Sequence, residues 1–229
     1  MKTVPGIPIS NKLPPLRKLF DPLPIIYYNR YMRAFPIIVS SPSGAGKTTI
    51  IDAVLKRNKT VARVVTATTR APRKGEKNGK DYHFWTIKQF EQAIKKNQML
   101  EWAQVHTSYY GIPKKSVDDL LKKNICPILV IDVQGARTVQ KLYPQAVLVF
   151  IIPPSLKELK KRILGRRDNT QDIELRLETA KKEVQELDRY HYVLLNADLK
   201  KAIEDMAGIV TAEQCRVARQ DLKKIKNLK

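Results

Sequence analysis

Phe35-Pro36-Ile37-Ile38-Val39-Ser40-Ser41-Pro42-Ser43-Gly44-Ala45-Gly46-Lys47-Thr48-Thr49 decides the fold of this chain. Phe35–Ser40 is a short apolar run of the kind that parallel sheets bury on both faces. A glycine-hinged turn follows, and Lys47–Arg57 then carries apolar residues at helical spacing. Strand, tight turn and helix in that order are the setting of a phosphate-binding loop. Gly44 and Gly46 let the backbone wrap close to phosphate, with N–H groups pointing inward and the helix N-terminus adding positive potential. Ser43, Gly44, Ala45, Gly46, Lys47, Thr48 and Thr49 are therefore the predicted triphosphate cradle. Lys47 would reach the β and γ phosphates, and the Thr48 hydroxyl would ligate Mg²⁺. Ser41 stands where such loops usually carry their first glycine.

Outward from this loop, strand and helix alternate. Ile128–Ile131, Val147–Ile152 and Tyr192–Leu195 read as further buried strands, and Ile87–Lys96, Ser116–Lys123, Gln134–Leu142, Leu156–Leu164, Ile173–Leu187 and Asp198–Val210 as helices. That alternation predicts an α/β fold, a parallel sheet flanked by helices of the P-loop NTPase type. Between Thr66 and Cys126 the pattern changes to polar turns and aromatic pairs, which reads as a mixed insertion. Residues 1–34 hold repeated prolines that prevent a regular helix, so they read as an extended basic arm, and Met32 offers a later start that would leave 1–31 outside the protein. The expected division is an extension over 1–34, a domain over 35–214 with an insert at about 66–126 and a lid at about 164–178, and a basic tail over 215–229, helical or frayed and more a solvated terminus than a binding element.

Composition narrows the classes further. With 43% hydrophobic and 28% charged residues, wholesale disorder is excluded. The longest strong apolar run, Ala146–Pro154, is strand-length, so no membrane span is expected. Two cysteines, Cys126 and Cys215, make no disulfide framework and no paired metal spacing, which fits a reducing, cytoplasmic setting unless the basic arm directs the chain to an organelle. His83, His106 and His191 are scattered and read as structural. Forty-three Lys and Arg against 22 Asp and Glu give +21, which points to an anionic partner. No element for reading a specific nucleic acid sequence is visible.

A second anion site follows the cradle. Thr66-Ala67-Thr68-Thr69-Arg70-Ala71-Pro72-Arg73-Lys74-Gly75-Glu76, ending in Lys80-Asp81-Tyr82, sets two arginines and a tyrosine around glycine-hinged turns, a composition suited to a separate phosphate. Glu101-Trp102-Ala103 and Tyr109-Tyr110-Gly111 follow, with a carboxylate beside aromatic rings where a base could be read.

These segments, together with Ile131-Asp132-x-Gln134-Gly135, the Pro153-Pro154-Ser155 turn and Gly165-Arg166, resemble the guanylate kinase family from about Phe35 to about residue 210. The resemblance implies a mixed GMP-binding subdomain and a small helical lid on the predicted sheet, and Mg²⁺-dependent transfer of the ATP γ-phosphoryl group to GMP, with dGMP open as a further acceptor. It implies that Arg70, Arg73, Tyr82 and Tyr110, beside Gly111, hold the GMP phosphate, that Glu76 supports the arginines, and that Thr66, Glu101 and Asp132 read guanine. It also implies that Arg166, with Arg167 as its alternative, and Arg176 close on the transferred group, making Lys47, Arg73, Arg166 and Arg176 the catalytic set. Arg162 and Asn196 would stand on the adenine side. Chemistry agrees on one point: an ionised Glu101 can accept from both N1–H and the 2-amino group of guanine, whereas adenine offers neither donor.

Two positions depart from the family's pattern. Ile112 stands where a serine or threonine usually helps bind guanine, and Val130 where a second acid precedes Asp132. They leave open a relative with another acceptor. A scaffold that binds a partner in the old acceptor groove is the other alternative, against which stand the intact Lys47 and Thr48. Oligomeric state is left open.

Overall fold

The computed structural model describes residues 32–105, 107–165 and 173–227. In chain order these form β1 (Ile37–Ser40), α1 (Lys47–Arg57), β2 (Val61–Arg63), β3 (Ala67–Thr68), β4 (His83–Phe84), α2 (Ile87–Lys95), β5 (Met99–Val105), β6 (Ser108–Pro113), α3 (Lys114–Lys122), β7 (Cys126–Val130), α4 (Val133–Leu142), β8 (Val147–Ile152), α5 (Leu156–Leu164), α6 (Ile173–Val184), β9 (Tyr192–Leu195), α7 (Leu199–Cys215) and α8 (Leu222–Lys226).

Five strands make a parallel sheet in the order β2-β7-β1-β8-β9. Alternate residues of β1 supply two cores. Ile37 and Val39 face Ile50, Ile51 and Val54 of α1 and Met206 and Val210 of α7. Ile38 faces the other way, among Leu129, Leu148, Val117 of α3 and Val139 of α4. Two covered faces explain why β1, β7 and β8 read as continuous apolar runs. Tyr192–Leu195, expected as a buried strand, is instead an edge strand with Val193 and Leu195 about half exposed and only Leu194 buried. Because all five strands are parallel, the loops after them emerge along one edge, where open α/β sheets bind ligands. That edge carries the glycine loop after β1, Asp132 after β7, the proline turn after β8 and Asn196 after β9.

The expected mixed insert is a second sheet in the order β4-β3-β6-β5, with β3 and β4 parallel and the other pairs antiparallel. The chain enters it through residues 64–66 and leaves at Pro113–Lys114. A register shift between Met99 and Glu101 bulges β5 at Leu100. Leu100 is thereby buried in the core shared with α3 and α4, while Glu101 turns toward the start of α4.

Several sequence expectations are revised. Val61–Arg63 is a fifth strand of the main sheet, too short and too polar to stand out. The segment α6 ends at Val184 and is followed by a 3-10 turn over Leu187–Arg189, whereas α7 continues five residues past Val210. The tail is not simply solvated. Arg219 lies with its guanidinium 3.6 Å over the Phe35 ring and 2.7 Å from Glu213, which is only 3% exposed, and the Arg33 amide donates to the Arg219 carbonyl at 2.7 Å. A lone basic residue in a basic tail gives no sign of such a tertiary partner. Among the described residues no helix is long and apolar enough to cross a membrane.

Candidate active site

The loop from Ser41 to Thr48 surrounds a cavity of about 280 Å³ that Asp132 and Glu183 complete. Gly44 and Gly46 adopt φ of +94° and +93°, the left-handed region that side chains avoid. A methyl at Gly46 would also lie 2.4 Å from Asn196 Nδ2, which donates to the Ala45 carbonyl at 2.7 Å. Asn196 therefore holds the cradle from behind. Gly46 caps α1 without any side-chain bond, leaving the first-turn N–H groups for an anion. Burial lowers the Lys47 pKa, opposed by the charges of Glu183 and Asp132. Thr48 and Thr49 open the exposed first turn of α1.

Opposite the loop, Asp132 caps α4, its Oδ1 accepting from the amides of Gln134 at 2.9 Å and Gly135 at 2.8 Å. Glu101 rests on that same turn. A methyl at Gly135 would fall 1.5 Å from Glu101 Oε2, so only glycine leaves room for the carboxylate. Burial, and then the charge of Asp132, push the Glu101 carboxyl up to about 7.

The arginine segment forms a separate cluster. One Nη of Arg70 donates to both Glu76 oxygens, at 2.9 and 3.0 Å, and the other to the Ala71 carbonyl at 2.7 Å. The Arg73 amide donates to Glu76 at 2.7 Å, so the carboxylate shapes the turn that presents both arginines. These bonds hold Glu76 below the usual carboxylate range, with Arg70 the larger cause. Arg70 also lies 5.6 Å from the centre of the Tyr82 ring, which meets the Tyr110 ring edge-on at 6.3 Å. Arg73 is exposed at the rim. Gly111 is required by close approach, since a methyl there would lie 2.6 Å from the Glu101 carbonyl. Thr66 sits half-buried where the chain crosses into the second sheet, its carbonyl accepting from the His83 amide at 2.8 Å.

On the far side of the cradle, Arg162 donates through Nε to Glu158 and through Nη to the Asn196 carbonyl, each at 3.1 Å. The two adenine-side candidates are thus joined. Arg176 is half-buried on α6 but does not line the phosphate cavity, and Arg166 and Arg167 lie outside the described residues. What α6 sends into the cavity is Glu183, which sequence reasoning missed. It lies two helical turns beyond Arg176, which itself stays outside the cavity lining, so local spacing carried no signal for it. Ile112 does not face the acceptor groove with a polar group, being 2% exposed and packed against Leu100, Val117 and Ala136. Val130 likewise packs against the apolar core.

A phosphate loop at the edge of a parallel sheet, facing a second sheet with its own arginine cluster and a buried carboxylate, defines a P-loop nucleoside monophosphate kinase. The comparisons with known proteins specify the family. The guanylate kinase family model matches residues 33–213. A guanylate kinase of Wolbachia sp. subsp. Brugia malayi is 44% identical over 182 residues, covering 79% of this chain and 93% of that protein. One from Clostridioides difficile is 41% identical over 184 residues, covering 80% and 90%. The crystal structure of guanylate kinase from Anaplasma phagocytophilum superimposes with a TM-score of 0.65 at 32% identity, covering 82% and 90%. The chain belongs to the guanylate kinase family.

Proposed function

We propose that the chain transfers the γ-phosphoryl group of ATP to GMP, giving ADP and GDP, with GMP seated between Glu101 and the Arg70 cluster and ATP on the glycine loop. The placement of Glu101 carries the acceptor assignment. Its carboxylate lies against the one residue of α4 that has no side chain, beside Asp132 and at the edge of the second sheet. A purine that offers two adjacent N–H donors satisfies both carboxylate oxygens, whereas adenine leaves them desolvated and unpaired.

Arg70 and Arg73, set by Glu76, and the hydroxyls of Tyr82 and Tyr110 are the donors proposed for the acceptor phosphate. No side-chain nucleophile is required, because an oxygen of that phosphate attacks the γ-phosphorus as the bond to the ADP oxygen breaks. The chain's own work is alignment and neutralisation. Lys47 and the loop amides take the donor phosphates, Arg162 and Asn196 frame the adenine side, and Arg166 and Arg176 are the proposed lid cations. Hard oxygen donors at the cavity, the Thr48 hydroxyl with the Asp132 and Glu183 carboxylates nearby, fit Mg²⁺. When bound, Mg²⁺ would neutralise charge developing on the bridging oxygens, with Thr48 as the proposed protein ligand.

The domain limits of 35–214, the insert over about 66–126 and the lid over about 164–178 belong to the same proposal. So does a reducing, cytoplasmic setting, supported by two free cysteines. Glu101→Gln is the direct test of base reading. Loss of one charged hydrogen-bond partner should raise the KM for GMP by about 10- to 100-fold, equivalent to about 1.4–3 kcal/mol, and reduce the preference for GMP over AMP. An unchanged ratio of kcat/KM values for GMP and AMP would move base recognition elsewhere.

A further inference from the structure

On the side of the second sheet away from the Arg70 cluster, a cavity of about 470 Å³ opens between the two sheets. Its walls come from both parts of the molecule. Arg63 ends β2 of the main sheet, Lys115, Ser116 and Lys123 belong to α3 and its C-terminus, and His83 and Trp85 come from β4 and the residue after it. The two crossings of the chain between the sheets, Val65 and Pro113, also line it.

This cavity is separate from the acceptor site by strand geometry. Side chains alternate across a strand, so Tyr82 and Phe84 meet Arg70, at 5.6 and 5.9 Å from its guanidinium carbon, whereas His83 and Trp85 point to the opposite face. There the His83 and Trp85 rings lie 6.4 Å apart at 29°, a near-parallel aromatic pair on one wall of the cavity. His83 Nε2 sits 3.4 Å from Ser116 Oγ. Burial lowers the His83 pKa, which keeps the ring neutral at pH 7.

Charge and shape indicate one kind of occupant. Arg63, Lys115 and Lys123 face a single acid in the lining, Asp119, which Lys115 already engages. The Arg63 partner, Asp52, lies outside the lining, and both members of that pair are about half exposed, an arrangement readily exchanged for a stronger anion. The helix α3 starts at this wall with no side-chain cap and no acid in its first turn, a further preference for negative charge. The volume lies within the roughly 300–1,000 Å³ of small-molecule sites.

We infer that the cavity between Arg63, Trp85 and Lys123 is a second ligand site, separate from both substrate subsites, that takes a planar aromatic small molecule carrying two or more negative charges. The ring system lies along the His83–Trp85 wall, and the anionic groups meet Arg63, Lys115 and Lys123. Because the walls belong to both sheets, an occupant bridges the core and the insert beside the two chain crossings.

The test uses the full chain with both substrate subsites filled by a bisubstrate analogue, adenosine and guanosine joined through five phosphates. ADP is then titrated while the Trp85 indole ¹⁵N–¹H resonance is followed, assigned against Trp102 with Trp85→Phe. The inference predicts saturable movement of the Trp85 signal with one additional equivalent of ADP bound, and weaker responses to pyrophosphate or adenosine alone. Arg63→Ser with Lys123→Ser, both at the surface, should weaken this binding at least about tenfold while ATP and GMP turnover stays within about twofold. No response of Trp85 at millimolar ADP overturns the site. So does additional binding that survives unchanged in the double variant. Loss of turnover in the wild-type chain would instead count against the catalytic proposal, so the two failures are distinguishable.

Discussion

At the scale of single residues, the Glu101 carboxyl couples guanine binding to pH. Its pKa is raised from 4.5 to about 7, so the folded chain holds a proton there that the unfolded chain releases near 4.5. The sign follows from linkage: the group's contribution to stability is full below about 4.5 and is lost as pH rises through about 7. Guanine reverses the preference, because only the ionised carboxylate accepts from both of its donors. GMP binding should therefore release a proton near neutrality. We predict that the KM for GMP falls about tenfold between pH 6 and 7 and levels off above pH 8, whereas Glu101→Gln keeps only the shallow change due to the acceptor phosphate, which titrates near about 6. Steady-state kinetics across pH 5.5–9 checks this, and identical profiles for the two proteins would remove Glu101 from base recognition.

At the scale of elements, the acceptor site is where β5 meets the first turn of α4. The bulge at Leu100 turns Glu101 toward that helix end, and the Asp132 cap leaves Gly135 as the floor beneath it. Gly135→Ala should displace the carboxylate and raise the KM for GMP at least about tenfold, with ATP binding to the loop nearly unchanged, because α4 itself tolerates alanine well. Isothermal titration with each nucleotide separates the two effects, and equal losses for both would indicate collapse of the helix end instead. The elements were unevenly legible in the sequence. The glycine loop and its helix were legible because glycine spacing, lysine and the flanking apolar run are local properties. The bulge was not, since Met99-Leu100-Glu101 reads as ordinary alternation until the register with β6 is known. Val61–Arg63 has three residues and only one deeply buried, so its pattern carries almost no signal. Glu183 was missed because its partner, Lys47, stands 136 positions away and no local rule connects them.

At the scale of the whole molecule, the two ends of the described domain close on one another. Met32 is buried and bridges to Gln220, Asn124 donates to the Met32 carbonyl and accepts from the Ala34 amide, each at 2.9 Å, and Arg219 covers Phe35. These tertiary contacts also explain why a tail read from composition as solvated is partly structural. A chain beginning at Met32 should keep turnover within about twofold and an unchanged Tm. One beginning at Pro36 loses the Phe35 side chain, whose removal alone costs about 3–5 kcal/mol, and should melt at least about 6 °C lower. Equal melting of the two truncated chains would show that residues 32–35 contribute nothing to the fold.

The central claim, a phosphoryl transfer from ATP to GMP across the edge of the parallel sheet, is tested most directly by coupled ADP release with ATP and Mg²⁺. GMP, dGMP, AMP, CMP and UMP would be compared as acceptors, with Lys47→Ala as the control. The account predicts turnover that depends on GMP, exceeds that with AMP by at least about a hundredfold, and falls at least about a hundredfold in the control, because the cradle then lacks the cation that meets the transferred phosphate. Turnover equal for all acceptors, or undiminished in a folded Lys47→Ala protein, would contradict it.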